Sequence, residues 1–169
     1  QIIAEERPDL IDHHAAHADV RESVDDPIYN AEVNVLGTVR LLQLAVKYGV
    51  KKMIFISTGG AIYGEPQSLP CTEDHPATPL SPYGASKLAG EVYLETYRQT
   101  FGLDYTILRY GNVYGPRQDT DAEEGRVIAI FTQLMLAGRT PKIHGTGEQE
   151  RDFVYVGDCV DANLRALTA

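Results

Sequence analysis

Tryptophan is absent from the chain, and cysteine occurs only twice, at Cys71 and Cys159, far apart and in no C-x-x-C spacing. That excludes a disulfide framework and a cysteine-built zinc site, and it suits a reducing, cytoplasmic compartment. No apolar run approaches the ~18–20 residues of a membrane span, and the opening "QIIAEERPDL" has neither the basic nor the apolar region of a signal peptide. It also lacks an initiator methionine, so the first residue reads as a cut through a longer protein. Positive charge is scarce: 15 Lys and Arg face 24 Asp and Glu, a formal charge of −9 with no basic cluster. This argues against nucleic acid or an anionic membrane surface as a partner. What is present is the composition of an ordinary globular domain, 43 % hydrophobic and 23 % charged over 169 residues. A small-molecule substrate fits it best.

Hydrophobic periodicity divides the chain into alternating elements. After a short helix at residues 1–6, "PDLIDHHAA" reads as a buried strand ending in small residues. "DDPIYNAEVNVLGTVRLLQLAVKYGV" begins with an Asp-Asp-Pro start signal and carries Ile28, Ala31, Val35, Val39, Leu42 and Val46 at helical spacing up to Gly49. "KKMIFIST" is a second strand, "SPYGASKLAGEVYLETYRQTFG" a second long helix stopped by Gly102, and "LDYTILRYGNVYG" a third strand. Strand, helix, strand, helix, strand predicts an α/β fold with a parallel sheet and helices on its faces. Beyond Gly115 come an acidic loop "QDTDAEEG", a helix at Val127–Leu136, a short strand at 141–144, a Gly-rich turn, "RDFVYV", and a last helix from about Asp158.

The stretch "SPYGASKLAGE" holds the most chemistry. Ser81 can cap the helix and Pro82 suits its first position, so Tyr83 and Lys87 fall one turn apart on one face. A cation close to a phenol favours its charged form, which makes the pair a plausible proton acceptor. Ten tyrosines make a Tyr-x-x-x-Lys spacing a common coincidence, and a surface tyrosine packed by a lysine stem has the same spacing. Context decides. Ligands of parallel sheets bind at the carboxyl ends of the strands, and three further clusters fall there: residues 13–16, 57–60 and 109–112. His13 and His14 read as satisfied strand-end histidines, and no metal site is expected.

The blocks "HHAAHADVRESVDDP", "NVLGTVRLL", "FISTGGAIYGE", "SPYGASKLAGE", "LRYGNVYGPRQ" and "GTGEQERDFVYV", in this order, resemble the extended short-chain dehydrogenase/reductase family, and most closely its UDP-glucose (UDP-galactose) 4-epimerase branch. The resemblance implies an NAD-binding Rossmann-type doubly wound sheet over residues 1–113 and an incomplete nucleotide-sugar lobe over 114–169. It implies NAD as cofactor and a UDP-sugar as substrate. By position, Tyr83 would take the proton from the sugar 4-hydroxyl. Lys87 would bind the nicotinamide ribose and, with oxidised nicotinamide, depress the tyrosine pKa. Ala15 and Ala16 would let the cofactor approach the backbone, Asn34 would lie near it, and Tyr110 would flank the nicotinamide. Asn112 and Arg151 would meet the diphosphate, for which a guanidinium fork is suited. The family also pairs its two long helices, here about Pro27–Tyr48 and Pro82–Phe101, across a homodimer axis.

Departures from the family pattern set further expectations. Counting back from Tyr63, the usual Ser/Thr position falls on Gly59, so the hydroxyl that assists at the sugar 4-oxygen is Thr58, with Ser57 second. His17 and Ala18 stand where some epimerases carry a lysine. Related dehydratases and decarboxylases carry an acid between the Ser/Thr positions and the Tyr-Gly pair, and "STGGAIYG" has none, which favours epimerisation through a transient 4-keto sugar. The family's first strand and Gly-x-x-Gly-x-x-Gly phosphate loop have no counterpart in these residues. Two alternatives stay open: another nucleotide-sugar enzyme of the family, acting on UDP-N-acetylglucosamine or UDP-glucuronate or as a dehydratase or decarboxylase, and a non-catalytic fragment of the fold.

Overall fold

The structure, a computed structural model, describes residues 1–118 and 127–169. Three parallel strands, β1 (Leu10–His13), β2 (Lys52–Thr58) and β3 (Asp104–Tyr110), form a sheet in that order. Leu10 pairs with Lys52 and Lys52 with Asp104, so the strand ends at His13, Thr58 and Tyr110 lie along one edge. Beyond Gly111 the chain leaves this sheet, and β4 (Asn112–Tyr114) pairs in parallel with β5 (Phe153–Tyr155).

Between β1 and β2 the chain is helical in four pieces: α2 (Val20–Asp25), α3 (Pro27–Ala31), a π-helical turn at Glu32–Leu36, and α4 (Gly37–Tyr48). The preceding α1 spans Ile2–Glu6. The separate helix α2 is a structural finding, and its signal was present in "ADVRE": Asp19 caps it by accepting from the Glu22 N–H at 2.9 Å. The long helix α5 (Pro82–Phe101) lies beside these and against β2 and β3. Leu42 and Ala45 of α4, Met53 and Phe55 of β2, and Leu94 and Tyr97 of α5 close one buried core. After the acidic run at 119–124, which lies outside the described residues, come α6 (Val127–Leu136) and α7 (Val156–Ala166). The helix α7 packs against β3, β4 and β5.

Two expectations are corrected. Residues 141–144 form no strand: Pro141 has no N–H to give a ladder, and the carbonyl of His144 is taken locally by Gln149 Nε2 at 2.8 Å. In the helical run from Pro27, the inward stripe is also different from the apolar one. Of the expected stripe, Ile28 is 70 % exposed and Ala31 is exposed, while Asn30, Asn34 and Thr38 are buried. Spaced four apart, those three continue into Leu42 and Ala45 on a single face. That face meets polar strand-end loops at its start and the core at its end.

The helix α5 sits unusually close to the sheet. A Cβ on Gly90 would lie 2.6 Å from Cζ of Phe55, inside any normal contact. Gly90→Ala should therefore lose about 1–3 kcal/mol, the ordinary penalty of overpacking, read as a lower denaturant midpoint. Phe55→Leu placed in the Gly90→Ala background should recover part of it.

Candidate active site

Local chemistry builds the start of α5. Ser81 Oγ accepts from the Gly84 N–H at 3.1 Å, Pro82 opens the helix, and the Tyr83 N–H donates to Ser23 Oγ of α2 at 3.1 Å. Ser86 Oγ in turn donates to the Tyr83 carbonyl at 2.7 Å. At Gly84 any side chain would collide with the carbonyl of Ala61, 2.3 Å from an added Cβ. The helix N-terminus can therefore press on the loop that follows β2. The Tyr83 phenol lies within interaction range of the Thr58 side chain. One turn on, Lys87 Nζ donates to the Ile56 carbonyl at 2.8 Å and stands 5.0 Å from the centroid of the Phe55 ring.

Burial dominates the electrostatics. It lifts the Tyr83 phenol above its ordinary range, opposed by the interaction with Thr58. The depression expected from Lys87 acting together with oxidised nicotinamide belongs to the loaded site; in the protein alone, burial governs the phenol and Lys87 is directed to a carbonyl. Lys87 itself is brought down from 10.5 to about 8 by burial. His13 is brought down to about 4 by burial and then by the positive charges of Lys87 and His14. Its Nε2 shares a hydrogen bond with Thr38 Oγ1 at 3.1 Å.

The structure brings most of the singled-out residues to this edge, in different states. Thr58 lies within range of Tyr83; Ser57 is buried with its Oγ unpartnered by the protein. Ala15 and Ala16 lie in the loop after β1, the first exposed and the second half-buried. Asn34 sits in the middle of the π-helical turn with its side chain fully engaged. Its Oδ1 accepts from the His17 N–H at 2.8 Å, and its Nδ2 donates to the His17 carbonyl and to Ser86 Oγ, both at 2.9 Å. It thus ties the loop after β1 to α5. The Tyr110 hydroxyl accepts from Asn163 Nδ2 of α7. Asn112 is held on the carbonyl of Asp152 through its backbone N–H at 2.7 Å, and Arg151 is exposed. Asn112 and Arg151 line a cleft of about 1020 Å³, walled also by Gly59, Tyr63 and Arg109; Thr58 and Tyr83 lie outside its lining.

A family profile for the NAD dependent epimerase/dehydratase family matches residues 1–169. The chain belongs to that family. It is 52 % identical over 165 residues to the UDP-glucose 4-epimerase of Mycolicibacterium smegmatis, a match covering 98 % of this chain and 52 % of the relative. It superposes with a TM-score of 0.95 and 50 % identity on the crystal structure of UDP-glucose 4-epimerase with UDP-glucose from Thermotoga maritima, covering 99 % of this chain and 54 % of that one. The UDP-glucose 4-epimerase of Thermus thermophilus in complex with NAD follows at 0.91 and 47 %, covering 99 % and 55 %. The chain thus spans about half the length of these relatives, and its sheet is the Rossmann-like sheet of the epimerase/dehydratase family.

Within this family framework, sequence reasoning passed over Ser23, Ser86 and Glu91. Ser23 is completely buried and holds the backbone of Tyr83. Its signal was its place one turn after Asp19 in a capped segment. Among the described residues no helix is long and apolar enough to cross a membrane. The two cysteines are unpaired thiols.

Lys87 offers a measurable consequence. Between about pH 8 and 10.5 the unfolded chain keeps the proton that the folded chain has released, so stability from this group rises with pH across that window. Relative to Lys87→Met, which has nothing to titrate, the wild type should gain on the order of 3 kcal/mol from the lower to the upper end. Chemical denaturation of both proteins across this range checks it, since other titrations cancel in the difference.

Proposed function

We propose that this chain is the core of an NAD-dependent UDP-glucose (UDP-galactose) 4-epimerase, an isomerase working through a transient 4-keto sugar. The observation that carries this reading is the approach of the Tyr83 phenol to Thr58 with Lys87 one turn along the same helix, next to a strand end that has no carboxylate before Tyr63. Residues 1–113 form the cofactor-binding part and 114–169 part of the nucleotide-sugar lobe.

The residues present suit NAD. Ser57 Oγ is a buried polar atom without a protein partner, Lys87 uses one of its three N–H donors on Ile56, and Ala15 and Ala16 extend no bulk from the first strand end. Bound NAD supplies a reversible acceptor for the hydride at sugar C4. Tyr83 takes the proton of the 4-hydroxyl and later returns it, with the Thr58 hydroxyl completing the hydrogen-bond relay and Ser57 second to it. Lys87 would hold the ribose of bound NAD and, with it, favour the phenolate, which burial alone disfavours. Tyr110, steadied by Asn163, would flank the nicotinamide. Asn112 and Arg151 take the diphosphate from the cleft side. Asn34 acts near the cofactor by holding the loop of His17 in place.

Outward apolar side chains on the neighbouring helices, Val24, Ile28, Leu36 and Val92, support a homodimer in the family manner. Sedimentation of the full-length protein as a monomer at micromolar concentration would remove that part. The free thiols and acidic charge suit the cytoplasm.

Assay of the full-length protein against UDP-galactose, UDP-glucose, UDP-N-acetylglucosamine and UDP-glucuronate tests the activity and its sugar. Tyr83→Phe should keep fold and cofactor content while turnover falls by about 10²–10⁴-fold, the worth of general acid–base catalysis. Near-normal turnover would sink the assignment. Lys87→Met should weaken NAD and move residual activity to higher pH, because the phenol loses its nearby cation. Thr58→Val should lose more than Ser57→Ala.

A further inference from the structure

The connection of residues 59–80 runs from Thr58 to the cap of α5 without a helix or strand of its own. Its two ends nevertheless bring Thr58 and the Tyr83 side chain within interaction range. A long irregular loop has many conformations, so something must select one.

Arg109, on β3, meets that need. Its Nε and Nη2 donate to the two carboxylate oxygens of Glu91 at 3.0 and 2.6 Å, a bidentate pair in which the Glu91 side chain is 7 % exposed. Glu91 lies on α5, one turn beyond Lys87. The remaining terminal nitrogen, Nη1, turns to the loop: it donates to the Tyr63 hydroxyl at 2.8 Å and to the Glu73 carbonyl at 3.0 Å. Tyr63 is itself the loop's inner post. Its carbonyl accepts from Thr78 at 3.0 Å, and its ring packs edge-on against His75, whose Nε2 accepts from the Gln67 N–H at 3.0 Å.

The geometry points to Arg109 as a positioning residue: it uses one rigid fork to tie β3, the Tyr83-bearing helix and the loop together, and so sets how Thr58 meets Tyr83. An ion pair serving only to neutralise Glu91 would need two of its donors; two more hydrogen bonds go to the loop. Lysine cannot reproduce this, because its three donors radiate from a single atom. The inference rests on the reading of Thr58 and Tyr83 as the reacting pair.

The test uses the full-length protein and two mild variants. Tyr63→Phe removes one arm to the loop and leaves the Arg109–Glu91 pair whole; Arg109→Lys keeps the charge on Glu91 and removes the fork. Hydrogen exchange should accelerate in residues 60–78, above all at Gln67, with β2, β3 and α5 unchanged. In the epimerase assay, kcat should fall about tenfold while KM for UDP-galactose stays within about threefold, since misalignment of reacting groups is felt in the chemical step. Unchanged loop exchange in both variants, or a KM effect with kcat intact, overturns the positioning role. Should the wild type interconvert no UDP-sugar, the proposed function fails while the exchange data still decide whether Arg109 holds the loop.

Discussion

Close contact of α5 with the sheet and with the loop after β2 is the constraint on which the site depends. Two glycines permit it, Gly84 against the Ala61 carbonyl and Gly90 against the Phe55 ring, and a methyl group at either would force the helix outward. Because the helix is rigid, its depth at Gly84 and Gly90 sets the height of the residues from Tyr83 to Glu91. Tyr83 therefore reaches Thr58, and Lys87 reaches the Ile56 carbonyl in place of solvent. The same proximity dehydrates both groups, raising the phenol and lowering the ammonium. A phenol in such a place needs a cation beside it before it can act as a base near neutral pH.

A second layer of order comes from buried polar groups. Asn30, Asn34 and Thr38 occupy positions on the inner helix face where apolar residues would ordinarily be favoured. Burying an amide without partners costs several kcal/mol, yet Asn34 satisfies its groups on both backbone atoms of His17 and on Ser86. The π-helical turn at Glu32–Leu36 is where this happens, in keeping with the concentration of such turns at functional sites. The arrangement exchanges generic packing for fixed orientation: the loop after β1 and Ser86 of α5 are held to the same asparagine.

Much of this was legible in the residues. Alternation of apolar runs with helical spacing suffices for β1, β2, β3 and the long helices, because burial of a strand or a helix face leaves a periodic trace. Ser81 and Pro82 announce the start of α5, where the Ser81 hydroxyl caps the helix behind Pro82. The strand expected at 141–144 was not legible, because a β-prone "KIH" forms a strand only where a neighbour offers its edge. The inward face of the helix from Pro27 was misread for a related reason. Hydrophobicity marks which residues avoid water, and here Ile28 and Ala31 are left outward while asparagines face strand-end loops whose polarity lies far away in sequence.

The order of elements, the helix start at Ser81 and the spacing of Tyr83 and Lys87 are local properties, and they follow from capping, φ restriction and the 3.6-residue turn alone. The family kinship is likewise carried by the order of residues. The partner of each group belongs to the folded chain: Thr58 for Tyr83, the Ile56 carbonyl for Lys87, His17 for Asn34, Glu91 and Tyr63 for Arg109. Such pairings, and the protonation shifts of Tyr83, Lys87 and His13, depend on distances of a few ångströms between segments tens of residues apart. Coulomb and desolvation energies vary steeply over just that range, so they arise only once packing has brought the segments together.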